Sequence, residues 1–157
     1  MITIGILMMN FYLNMSYKIP MEILYTAIGL MHCELFDSDT APKFYTESTI
    51  KGTIEIFEAY KEGLAGLNEY DHIMVFFHFH RSSGYSLMQK RRGEGELRGV
   101  FSLCSPNRPN GIGMSVLKLI KIQGNMLHVE NIDLLDGTPI LDIKPYKPMD
   151  YPSGTKD

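Results

Sequence analysis

The nine residues His72–His80, HIMVFFHFH, alternate regularly enough to specify a strand. Successive side chains of a strand point to opposite faces. Ile73, Val75, Phe77 and Phe79 therefore share one face, and His72, Met74, Phe76, His78 and His80 share the other. Met74 and Phe76 lie among the histidines, so neither face suits open solvent. A strand covered on both sides belongs in a barrel or in a sheet at an interface. Other β-forming runs surround it at Glu22–Met31, Gly52–Phe57, Leu97–Cys104, Ile112–Ile122, Met126–Leu134 and Ile140–Ile143. Gln123-Gly124-Asn125 and Asp136-Gly137-Thr138-Pro139 read as turns, because glycine, asparagine and aspartate accept the backbone angles that turns demand. Glu58–Leu67 carries Ala59, Tyr60, Leu64 and Leu67 near helical spacing, and Gly63 and Gly66 keep it short. Short strands separated by turns, one short helix and long loops predict a mostly β protein, a small antiparallel barrel.

The 157 residues suit one domain with one core, and 45% hydrophobic with 21% charged residues is ordinary for a globular chain. The barrel is expected over 22–148, with a flexible tail at 149–157. Residues 1–21 read as an N-terminal extension. Ile2–Met15 is nearly all apolar and uncharged, too short to span a membrane and without the basic flank of a signal peptide. It is either translated from an upstream start codon or a strand that covers an interface. Cys33 and Cys104 make no disulfide framework, which points to a reducing cytoplasm. No membrane partner is expected.

The net charge of −3 conceals an asymmetry: residues 1–71 carry ten acids and four lysines, residues 72–157 eight acids and eleven Lys and Arg. All five arginines fall between Arg81 and Arg108. Arginine is well shaped for phosphate and carboxylate. Lys90, Arg91, Arg92 and Arg98 are therefore candidates for one basic, phosphate-recognising face, or else form a solvated charged loop.

Gly99–Met114, GVFSLCSPNRPNGIGM, enters as a strand and passes a turn stiffened by Pro106 and Pro109. Arg108 stands at its centre, between Asn107 and Asn110, and Gly111 and Gly113 permit close approach. Such stiffness suits a site, although a rigid corner with a surface arginine would look the same.

Four segments together resemble the TrmO (TsaA-like) family of S-adenosylmethionine-dependent tRNA methyltransferases: Ile28-Gly29, Leu64–His80, Gly99–Ser115 and Asp133–Tyr146. The strings S-x-x-R-P-N-x-I-G-x-S and D-G-T-P-x-x-D-I-K-P-Y carry the resemblance most specifically. It implies a homodimeric β-barrel that methylates N6 of threonylcarbamoyladenosine at position 37, in the tRNA anticodon stem-loop. It also implies cofactor contacts at Pro42, Lys43 and Phe44, at His80 and Arg81, at Cys104, at Met114, and at Asn131, Ile132 and Asp133. The family's T-R-S is Leu103-Cys104-Ser105 here, its R-P-N-P-I-G is R-P-N-G-I-G with Gly111 for proline, and its Pro-Arg-Gln ends in Phe44.

Adenine N6 is a weak nucleophile and a sulfonium methyl a reactive donor, so positioning supplies most of the rate. Arg108 and Asn110 are the candidates at the acceptor. Arg108 either grips a carboxylate or phosphate or pins the loop to Asp133 or Asp136. Lys144 and Tyr146 suit a phosphate and a stacked base, or form a plain strand end. His78 and His80 on one strand face also suggest a cupin-like metal enzyme, but no nearby third ligand follows them, so no metal is assigned. An S-adenosylmethionine-binding module without methyl transfer is the other alternative.

Overall fold

The computed structural model describes residues 21–91 and 94–147. Most of the expected N-terminal extension, Arg92 and the expected tail lie outside the described residues. Eight strands occur in order: β1 (Gly29–Cys33), β2 (Lys51–Ile56), β3 (His72–His78), β4 (Met88–Arg91), β5 (Glu94–Gly99), β6 (Ile112–Gln123), β7 (Met126–Glu130) and β8 (Pro139–Pro145). Six close into a barrel in the order β1-β2-β7-β6-β3-β8, every neighbouring pair antiparallel, while β4 and β5 form a separate hairpin.

The alternation in β3 sets the core. Ile73, Val75 and Phe77 point inward, and Ile54, Leu117, Leu127, Val129 and Ile140 meet them from the other strands. Each such side chain contributes roughly 1.5–3 kcal/mol of hydrophobic burial. Gly113 lies opposite Phe77, where a β-carbon would approach the phenyl ring to 2.4 Å, so only glycine leaves the ring its place.

Several expected boundaries shift, each for a physical reason. The first strand begins at Gly29, not Glu22, because pairing starts where Ile28 N–H reaches Ile140 O (2.8 Å) and Gly29 meets both β2 and β8. The helical run is two 3₁₀ helices, Glu58–Leu64 and Leu67–Glu69, divided by Gly66 at φ +80°. The run Leu97–Cys104 leaves the extended form at Gly99, because buried Val100 starts a 3₁₀ turn, Val100–Ser102. Ahead of that run lie β4 and the first residues of β5, beyond the strands expected from sequence. Gly124 at φ +63° and Gly137 at φ +73° make the two expected turns.

Topology places three connections between barrel strands at one rim. The chain leaves β1 at Cys33, β3 at His78 and β7 at Glu130, and enters β2 at Lys51, β6 at Ile112 and β8 at Pro139, all at this end. The 3₁₀ helices, the β6–β7 turn and the last residues of β8 mark the opposite rim.

Candidate functional site

Asp133 is the hub of the crowded rim. Its Oδ1 accepts the Ser115 hydroxyl at 2.6 Å, and the carboxylate also accepts the backbone N–H groups of Asp133 and Tyr45. These bonds join β6, the segment after β7 and the first long loop. Burial pushes the Asp133 carboxyl above its ordinary range, and the three hydrogen bonds oppose that rise. Buried Ser48 repeats the connection, donating to Ile132 O at 2.5 Å while Ile132 N–H donates to Ile50 O at 3.2 Å. Pro42-Lys43-Phe44, which immediately precedes Tyr45, is thereby held beside Asn131–Asp133. Asn131 turns the chain at φ 69°, the one non-glycine residue in the left-handed region among the described residues.

A second tie fixes the D-G-T-P turn to β1. Asp136 Oδ1 accepts Cys33 N–H at 3.0 Å, Asp136 N–H donates to Leu35 O at 2.7 Å, and Gly137 N–H to Met31 O at 2.8 Å. From the buried Thr138, Oγ1 reaches His80 Nδ1 at 3.4 Å. Arg81 donates through Nε to His80 Nε2 at 3.3 Å and through Nη1 to Phe36 O, which returns the first loop to the end of β3. Burial, with the charges of Arg81 and then His78, lowers the His80 pKa, partly offset by Asp136. A neutral imidazole here accepts from Arg81 and leaves one ring nitrogen for Thr138.

The R-P-N turn closes the rim. Half-buried Arg108 donates Nη1 to Leu103 O at 3.3 Å and, among the described residues, forms no ion pair with Asp133 or Asp136. The loop-pinning alternative thus takes a different form, a bond within the turn itself. Phe79 N–H donates to Gly111 O at 2.7 Å, and Gln89 Nε2 to Asn107 O at 2.5 Å, so the β4–β5 hairpin leans on this turn with Lys90 and Arg98 exposed. Cys104 is exposed in the same loop, as is Asn110. A recess of about 190 Å³ opens between His78, Tyr85, Arg108 and the two prolines. β3 ends at His78 and its backbone tightens there, with His80 N–H on His78 O at 2.8 Å, so the two imidazoles engage different neighbours. Among the described residues no three His, Cys, Asp or Glu groups converge on a metal position.

Three sequence-predicted residues stand apart. Met114 follows Gly113 on β6 and projects outward, 47% exposed, while its neighbour Ser115 turns in to Asp133. Lys144 pairs with Asp142 at 2.5 Å and lies 5.9 Å from the Phe76 ring, near the opposite rim. Tyr146 sits edge-on to His72 at 6.4 Å there. Arg91 closes β4. Sequence reasoning missed Ser115, Ser48, Thr138 and Asp136 as the groups that lock the rim. Ser115 and Thr138 stand as fixed letters of the two family strings, which signals that they matter but not which partners they bond. A larger recess, about 550 Å³, opens beneath the 3₁₀ helices at the far rim and includes none of the predicted site residues.

Residues 31–150 match the family described as the tRNA-methyltransferase O N-terminal domain. An S-adenosyl-L-methionine-binding protein of Archaeoglobus fulgidus is 36% identical over 121 residues, 77% of this chain and 87% of that protein. A mouse tRNA (adenine(37)-N6)-methyltransferase is 38% identical over 105 residues, 65% of this chain and 24% of the mouse protein. The crystal structure of TrmO from Pseudomonas aeruginosa superposes with a TM-score of 0.72 at 32% identity, covering 86% of this chain and 61% of that one. The chain thus spans less than two thirds of the length of the mouse and Pseudomonas proteins.

Proposed function

The chain belongs to the tRNA-methyltransferase O N-terminal-domain family, and from that premise we propose that it methylates tRNA with S-adenosylmethionine. The acceptor we assign is N6 of threonylcarbamoyladenosine at position 37 of the anticodon loop. The observation that carries the reading is the Asp133 carboxylate, which gathers β6, the first loop and the segment after β7 at one place.

The donor set fits the cofactor. It offers a half-buried carboxylate at Asp133 for an ammonium or ribose hydroxyls, the Arg81 guanidinium for the amino-acid carboxylate, and backbone along Pro42–Phe44 and Asn131–Ile132 for the base. When bound, the group supplies a methyl on a positively charged sulfur. The chain's own residues do the rest. Asp133 and the Thr138–His80–Arg81 tie hold their loops in one arrangement before any ligand arrives, so little ordering is needed on binding. Arg108 places a planar donor near the acceptor, suited to the threonyl carboxylate. Asn110, beside it, orients the acceptor. Lys90 and Arg98, exposed on the β4–β5 hairpin, supply the phosphate contacts.

Lys144 and Tyr146 belong to the far rim of their own barrel, so they serve the acceptor only from a second copy. The homodimer fits the outward face of β3 and β6, where Ile112 is 36% and Met114 47% exposed beside Met74 and Phe76. Sedimentation at micromolar concentration tests it. A cytoplasmic setting follows from the tRNA substrate.

The activity is tested with purified protein, S-adenosylmethionine and tRNA carrying threonylcarbamoyladenosine, followed by nucleoside mass spectrometry. A mass gain of one methyl on that nucleoside supports the assignment. Heat of S-adenosylhomocysteine binding without any methylated nucleoside would leave the binding-module reading in its place.

A further inference from the structure

We infer that the recess between the end of β3 and the R-P-N turn seats one unstacked nucleobase of a single-stranded RNA, with His78 and Tyr85 as its stacking surfaces. The inference rests on the tRNA-methylation reading and adds a subsite distinct from the Asp133 cluster.

The recess, about 190 Å³, has room for one planar heterocycle. Its lining includes His78, Tyr85, Pro106, Pro109 and Arg108. Aromatic rings and guanidinium planes are the surfaces on which splayed bases stack. No carboxylate lines it, whereas Arg108 does. A sulfonium cation is therefore disfavoured there, and the face of a neutral base with a phosphate nearby is favoured. The Gln89 bond to Asn107 O brings the basic β4–β5 hairpin alongside, where a phosphate backbone would continue.

Gly111 explains why this chain has the recess in this form. A β-carbon at position 111 would lie 3.2 Å from His78 Cε1 and 3.4 Å from Nδ1. Glycine leaves the space into which the imidazole leans. His78 and Gly111 are thus one paired feature of the recess wall.

The test uses the full chain, S-adenosylhomocysteine and a short unstructured RNA with one 2-aminopurine, whose fluorescence falls on stacking. The wild type should quench it. Tyr85→Ala and Gly111→Pro should each weaken RNA binding by about tenfold or more, the scale of one lost base–aromatic stack. Both variants should keep the wild-type heat of S-adenosylhomocysteine binding and thermal midpoint. Absence of quenching by the wild type, or unchanged RNA affinity in both variants, overturns the inference. Weakened S-adenosylhomocysteine binding in the variants also overturns it, by making the recess part of the cofactor seat. A wild type that quenches but transfers no methyl removes the enzymatic reading and leaves the subsite standing.

Discussion

Ser115, on β6, donates its hydroxyl to Asp133 at 2.6 Å, and that bond fastens the longest barrel strand to the segment where the chain turns from β7 toward β8. Because the carboxylate also accepts Tyr45 N–H, loss of Ser115 loosens two partners at once.

Ser115→Ala should lower stability by about 1–3 kcal/mol, the cost of leaving a buried acceptor short of a donor. Asp133→Asn gives a test of sign. The folded-state pKa of Asp133 is raised, so its proton is held more tightly in the native state. The stability this adds is complete below the unfolded aspartate value and disappears as pH rises through the raised folded value. Thermal midpoints from mildly acid to neutral pH should therefore decline more in the wild type than in Asp133→Asn. Parallel profiles would show that the carboxyl does not titrate differently on folding.

Asn131 adopts φ 69°, where asparagine is tolerated and a β-branched residue is not. Asn131→Val should cost about 1–2 kcal/mol and Asn131→Gly close to nothing, judged by urea midpoints. Equal losses in both would assign the cost to the Asn131 side chain.

The sequence made the turns legible because proline and glycine act locally: the R-P-N and D-G-T-P turns follow from residues within four positions of one another. The barrel was legible from the alternation in β3, which needs covered surface on both sides. What the string hides is depth along a strand. Tyr146 lies eight residues past Thr138, about 26 Å at ~3.3 Å per residue, so the D-G-T-P-x-x-D-I-K-P-Y run begins at one rim and ends at the other. Met114 was hidden by the same pleat, since neighbouring positions 114 and 115 face opposite ways. β4 and its pairing with β5 escaped notice because the described residues of that charged, glycine-containing run are mostly exposed, and the bond of Gln89 to a backbone carbonyl of the R-P-N turn has no sequence signature.

Arg108→Ala should reduce turnover on the order of a hundredfold, the usual loss when a positioned donor is removed. Its thermal midpoint should stay near that of the wild type, because among the described residues the guanidinium's one protein bond is a 3.3 Å contact within its own turn. Single-turnover methylation alongside a melting curve separates the effects, and a collapse of the midpoint would make Arg108 structural.

His80 is held neutral by burial and by the charge of Arg81. With a lowered folded-state pKa, its contribution to stability is present above the unfolded histidine value and is lost as pH falls through the folded one. His80→Gln should flatten that acid-side decline, and the His80 ring should titrate below the ordinary histidine range by NMR. Titration of that ring within or above the ordinary range would contradict this.

Gly29 and Gly63 make a contrasting pair that tests the barrel seam. A β-carbon on Gly29 would lie 2.2 Å from the Glu55 carbonyl oxygen, which is backbone of the adjoining strand, whereas one on Gly63 meets nothing within 4 Å. At Gly29 the strand ladder cannot step aside without breaking Phe57 N–H to Ile28 O (2.9 Å) and Ile28 N–H to Ile140 O (2.8 Å), so Gly29→Ala should cost ~3 kcal/mol or more. Gly63→Ala removes unfolded-state freedom at an open position and should be neutral or stabilise by up to about 1 kcal/mol. Urea unfolding of the two variants side by side decides the point: if Gly29→Ala is as stable as Gly63→Ala, β1 does not approach β2 as closely as the barrel requires.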